Sequence, residues 1–165
     1  MSPYQEVSSD DWYLVTERLL ERHPLNANEI VDVVQCCWQS IFDSRFGSAG
    51  FRIGIDIFPK PQIMGFLLHE LIPLELAARY PGQWRTDDSK EDKDCVFISN
   101  TDFSFEIKTS SNPTKIFGNR SYAQASDGIR KSRDGYFLTV NFEKFSGNTL
   151  PKLKLIRFGW IDATD

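Results

Sequence analysis

The hydrophobic period of this 165-residue chain changes once, at Pro81-Gly82, and that switch restricts the fold more than any single motif does. Before it, apolar residues recur at helical spacing. Residues 8–11 carry a Ser-x-x-Asp capping signal, followed by Trp12, Leu14, Val15, Leu19 and Leu20, and His23-Pro24 ends that helix. Asn26 with Glu29 opens a second helix, which stops near Gly47. Ile30, Val33, Val34, Cys37, Trp38, Ile41 and Phe42 run along one of its faces. Phe51, Ile53, Ile55 and Ile57 then alternate with Arg52, Gly54 and Asp56, which predicts a short strand or extended arm closed by Pro59 and Pro61. A third helix is expected over about residues 62–80, bent where Pro73 removes a backbone donor.

After the switch the period is two. A short strand is expected at residues 83–86, ahead of the charged run 87–94. Residues 95–99 and 103–109 read as two strands joined by the tight turn Asn100-Thr101-Asp102. A polar, glycine-containing loop over residues 110–124 leads to a short helix ending near Arg133, and residues 136–142 and 153–160 close the chain as strands. Helices followed by strands around one further helix describe an α/β fold with a mixed central sheet and a helical N-terminal part. The length fits one domain over 1–165, mainly helical over 1–60 and carrying its chemistry over 61–165.

Composition excludes several classes. The net charge of −4 argues against a uniformly basic, nonspecific nucleic-acid coat, but leaves room for one basic face. The richest apolar stretch, 63–78, is broken by His69, Glu70, Pro73 and Glu75, so no membrane span is expected. The N-terminus has neither a basic nor an apolar signal region. Cys36, Cys37 and Cys95 form no CxxC, and with only His23 and His69 beside them a zinc site is not expected. Free thiols suit a reducing compartment, and the cytoplasm is the expected location.

The chemistry concentrates around residues 94–108. On a strand of period two, Phe103, Phe105 and Ile107 face the core while Ser104, Glu106 and Lys108 share the other face. Asp94 begins the preceding strand, so a hairpin brings it beside Glu106 and Lys108. Two carboxylates next to an ammonium suit metal-assisted hydrolysis of a phosphodiester. The carboxylates hold a hard cation such as Mg²⁺, and the lysine stabilises the charged phosphorane or steers the attacking water. Taken alone, a Glu-x-Lys on a strand is more often a solvated ion pair, and it is Asp94 at hairpin spacing, followed by a basic, polar loop, that favours the catalytic reading.

Asp94 followed by Glu106-x-Lys108 on adjacent strands resembles the PD-(D/E)xK nuclease superfamily. More closely, Lys93-Asp94, Glu106-Ile107-Lys108-Thr109-Ser110-Ser111-Asn112, Phe117-Gly118-Asn119-Arg120-Ser121-Tyr122, Leu68-His69-Glu70 and Arg157-Phe158-Gly159-Trp160 are similar to the ScaI-like type II restriction endonucleases. The likeness covers roughly residues 60–160, with Lys93 where the superfamily name has Pro. It implies a restriction-endonuclease-like core that cuts double-stranded DNA at a specific sequence with Mg²⁺. Asp94 and Glu106 would be metal ligands and Lys108 the residue that positions or activates water. Glu70, with Glu75 second, would add an acidic group from the helix before the sheet. His69-Glu70 opens no zinc-protease motif because position 73 is Pro, and His69 is expected to be structural.

Residues 107–133 hold six bases (Lys108, Lys115, Arg120, Arg130, Lys131 and Arg133) against the single acid Asp127, a net of +5 within a chain of −4. Such a cluster can meet a phosphate backbone. Asn112, Lys115, Asn119, Arg120, Tyr122 and Gln124 carry groups able to read base edges, and Arg130 and Lys131 groups that meet phosphates. Cutting both strands requires two sites, most simply a C₂ homodimer. Trp12, Tyr13, Trp38 and Phe42 could serve that interface or the core. The family also implies a cognate DNA methyltransferase. Three other readings stand beside this one: another superfamily nuclease that nicks or resolves junctions, a non-catalytic DNA-binding module, and an interaction domain with an acidic surface, which leaves the +5 segment unexplained.

Overall fold

The structure, a computed structural model, describes residues 2–117, 134–147 and 149–162. Three helices precede a five-stranded sheet: α1 (Trp12–Glu21), α2 (Ala27–Asp43), α3 (Pro61–Arg79), β1 (Trp84–Thr86), β2 (Cys95–Phe97), β3 (Phe105–Ser110), β4 (Gly135–Phe142) and β5 (Leu153–Ile161). The strands lie side by side in sequence order, antiparallel except for the central β3–β4 pair, which is parallel. The mixed α/β architecture expected from the change of period is therefore the one observed.

Helix α2 forms where its pattern places it. Asn26 and Glu29 make a reciprocal capping box, with Glu29 N–H donating to Asn26 Oδ1 at 3.0 Å and Asn26 N–H to Glu29 Oε2 at 2.8 Å. All seven residues of its apolar face are buried. The cap expected at residues 8–11 is not made by a side chain. A 3₁₀ turn over Ser9–Asp11 intervenes, and the Ser8 carbonyl rather than its hydroxyl accepts the Asp11 N–H. Helix α3 runs through Pro73, which has no N–H to give the His69 carbonyl four residues back.

The expected arm at residues 51–57 is not a strand. Gly50 and Gly54 have positive φ, and the Arg52 carbonyl accepts the N–H groups of Ile55, Asp56 and Ile57, so the chain curls back on itself. Of the alternating set Ile53 is buried and Ile57 packs partly against the core, while Phe51 and Ile55 are exposed. Gly54 has a φ of +84°, which residues with side chains rarely adopt, and a Cβ there would also meet Leu150 Cδ2 at 2.2 Å.

The register fixes two faces of the sheet. Phe105, Ile107 and Thr109 lie beside Tyr136, Leu138 and Val140, which lie beside Trp160, Phe158 and Ile156. Phe105, Ile107, Tyr136, Leu138 and Val140 are buried with the apolar faces of α2 and α3, including Val34, Ile41, Met64, Leu68 and Ile72. The opposite face carries Glu106, Phe137 and Gly159 in one row, then Lys108, Thr139 and Arg157, then Ser110, Asn141 and Leu155. Ser104, expected on that outer face, precedes β3 instead. It is buried, and its hydroxyl accepts the Phe97 N–H at 3.0 Å where the short β2–β3 ladder has ended. A 3₁₀ turn at Thr101–Phe103, capped by the Asn100 side chain, replaces the simple tight turn.

Candidate active site

Asp94 stands immediately before β2, next to the Cys95–Phe105 pair, and so faces the Glu106 end of β3. Its Oδ2 accepts the backbone N–H of Ile107 at 2.7 Å, which ties the carboxylate to the strand carrying Glu106 and Lys108. Both acids are buried, Glu106 at 2% exposure and Asp94 at 6%. Lys108 Nζ reaches Glu106 Oε2 at 3.5 Å with its side chain still a quarter exposed. A charge-assisted contact from a buried acid to a partly exposed base points the ammonium toward the outer face.

The same Asp94 oxygen has a second partner. His69 Nε2 donates to Asp94 Oδ2 at 3.1 Å, while its Nδ1 lies 3.8 Å from Glu70 Oε1. The hydrogen bond to Asp94 raises the His69 pKa above the ordinary imidazole value, and burial opposes it. Close packing of α3 on β3 brings His69 here. A Cβ on Gly65, one turn earlier, would sit 2.5 Å from Thr109 Oγ1, so a larger residue there would force the helix or the Thr109 side chain to shift. Sequence reasoning assigned His69 a structural part and missed this contact, which depends on the docking of an element 25 positions away from Asp94. The only local signal is the Gly65–His69 spacing of one helical turn.

Glu70 is exposed, and His69 is the group between it and Asp94. Glu75 lies elsewhere, paired with Arg79, which also binds Asp32 of α2. Of the residues expected to meet DNA, Asn112 and Lys115 are described. Asn112 Oδ1 accepts the N–H groups of Thr114 and Lys115, shaping the turn after β3, and Lys115 is exposed. Asn119, Arg120, Tyr122, Gln124, Arg130 and Lys131 lie outside the described residues, as does the helix expected to end near Arg133. Trp38 and Phe42 belong to the core, whereas Tyr13 and Trp12 are exposed.

Among the described residues no group of three or more His, Cys, Asp and Glu side chains is placed to hold an ion. The donor set at this site is instead two carboxylates beside an ammonium. That set fits a small hard cation that keeps several waters and takes its remaining oxygens from a substrate phosphate. No described helix is long and apolar enough to cross a membrane.

The chain's relatives carry the same functional implication. It is 50% identical over 167 residues to the type II restriction enzyme ScaI of Streptomyces caespitosus, an alignment covering 99% of this chain and 73% of that protein. No solved structure matches it. The model of the ScaI restriction endonuclease family matches residues 2–165, taking in the helical N-terminal part as well as the region around Asp94, Glu106 and Lys108. The chain belongs to the ScaI restriction endonuclease family.

Proposed function

We propose that this protein is a type II restriction endonuclease, hydrolysing phosphodiester bonds of double-stranded DNA at a specific sequence with Mg²⁺. The observation that carries the reading is the Asp94–Ile107 hydrogen bond, which locks one carboxylate beside the strand bearing Glu106 and Lys108. Asp94 and Glu106 would hold the cation. A divalent ion bound there supplies Lewis acidity at the phosphate and lowers the pKa of a coordinated water. Ile107 and His69 both engage Asp94 Oδ2, which fixes the orientation of this carboxylate beside Glu106. Lys108 gives its Nζ–H groups to the attacking water or to the phosphate oxygens on which charge develops. Glu70 acts from the rim, through His69.

Lys115, with Asn112 shaping its turn, and the basic residues Arg120, Arg130 and Lys131 would carry the duplex, and Asn119, Tyr122 and Gln124 would join Arg120 in reading bases. Two copies related by a twofold axis would cut the two strands. A methyltransferase of the same sequence specificity would protect the host DNA in the cytoplasm. Free Cys36, Cys37 and Cys95 accord with that compartment.

Plasmid cleavage tests the proposal. Wild-type protein with Mg²⁺ is expected to give discrete fragments, and EDTA, Glu106→Ala and Lys108→Ala are each expected to abolish them while the fold is retained. Single-strand nicks without sequence preference would point to a repair or junction nuclease. Duplex binding without cleavage in any divalent metal would point to a binding module.

A further inference from the structure

Asn141 takes no part in the chemistry above, yet it is fully buried on the outer face of the sheet, where polar side chains are costly without partners. It has three. Its Nδ2 donates to the carbonyls of Asn112 at 2.7 Å and Lys115 at 3.0 Å, and its Oδ1 accepts from Arg157 Nη2 at 2.6 Å. The same Arg157 nitrogen donates to the Thr114 carbonyl at 3.1 Å. Three backbone carbonyls of one short segment are thus held by two side chains from two different strands. The side chain of Asn112 closes the segment from within by accepting the N–H groups of Thr114 and Lys115. Asn141 sits opposite Ser110 at a register shift in the β4–β5 ladder, one same-face row beyond the Lys108–Thr139–Arg157 row. That row spacing is about 7 Å along the strand.

From this geometry we infer that Asn141 and Arg157 form a clamp that fixes residues 112–115 against the sheet, and that the clamp sets how the DNA-contacting segment is presented relative to Lys108. They are positioning residues for sequence discrimination. Neither touches the reacting phosphate. The inference rests on the nuclease reading for its specificity role, but the clamp itself is measurable without DNA.

Two variants test it. Asn141→Asp keeps the size and the acceptor for Arg157 while replacing the two N–H donors with oxygen facing two carbonyls. Arg157→Ala removes an exposed side chain and leaves Asn141 in place, so it serves if the first variant does not fold. In the DNA-free protein, amide hydrogen exchange at Thr114 and Lys115 is expected to accelerate by about tenfold or more in both variants, with exchange in β3 and β4 unchanged. Cleavage of sites differing from the preferred one by a single base pair, relative to the preferred site, is expected to rise by about tenfold or more, with KM for DNA raised and kcat at the preferred site little changed. Folded variants whose Thr114 and Lys115 amides exchange at the wild-type rate would overturn the clamp. Faster exchange with unaltered discrimination and KM would overturn its role in specificity. Wild-type protein that cuts at no preferred sequence would instead overturn the nuclease reading and the specificity role with it, and the exchange result would still decide the clamp.

Discussion

Lys108 and Glu106 sit two residues apart on one strand, but their environments differ: the acid is buried and the base reaches outward. Lys108→Ala should therefore lower kcat by about 10²–10³-fold, as loss of a preorganised donor does, with the thermal midpoint nearly unchanged. Single-turnover cleavage at saturating DNA measures it. His23 makes a different case. Its Nδ1 accepts the Leu25 N–H at 3.1 Å, and its Nε2 lies 3.0 Å from the Phe103 carbonyl, so the neutral ring protonated at Nε2 satisfies both contacts. Packed against Tyr136 and Phe158, it is desolvated, and burial lowers its pKa below the ordinary value of 6.5. A lowered folded pKa means the unfolded chain binds the proton first. The His23 contribution to stability is thus complete above about pH 6.5 and is lost as the pH falls toward the folded value. Thermal melts from pH 7.5 to 5 should show a declining midpoint, less steep in His23→Gln; equal slopes would refute the assignment. At this scale Asp94, Glu106 and Lys108 were legible, because a strand period and a hairpin spacing suffice to bring them together. His69 and Asn141 were not, since each acquires its partners only when distant elements dock.

Elements were legible in proportion to how fully their own pattern determines burial. Every residue of the predicted α2 face is buried, and its capping box forms from residues three apart. Asn26→Ala should cost about 1 kcal/mol in denaturant unfolding. Residues 51–57 misled because alternation resembles a strand whether or not a partner strand exists, and glycine φ values turned the segment into a coil of backbone hydrogen bonds. Between α3 and β3 the determining position is Gly65. Gly65→Ala should destabilise the protein by about 1–3 kcal/mol and loosen the His69–Asp94 contact, because the new methyl meets Thr109 Oγ1. Adding Thr109→Ala removes that oxygen and should recover much of the loss. A double-mutant cycle with no coupling would mean that the helix shifts freely instead.

Across the whole molecule, the charge is divided between an acidic body and a segment of +5 over residues 107–133. Binding to a duplex should weaken steeply with salt, and Lys115→Ala should reduce the slope of log K against log salt by about 1 if that exposed lysine meets a phosphate. The β3–β4 pair is parallel, so Ser110 and Gly135 lie at opposite ends of adjacent strands, and the chain between them leaves from one end of the sheet and re-enters at the other. Asp94, Glu106 and Lys108 all precede that connection, and β4 and β5 follow it as an antiparallel pair of their own. Loop closure grows only logarithmically with length, about 0.6 kcal/mol for each doubling. If Asn119, Arg120, Tyr122 and Gln124 read bases as proposed, residues inserted after the exposed Phe117 should change which DNA is cut, and as added chain length alone they should cost the melting midpoint little. The enzyme's selectivity can then diverge by insertion and deletion in descendants whose cutting machinery stays the same, an evolutionary freedom conferred by a single parallel pair in an otherwise antiparallel sheet.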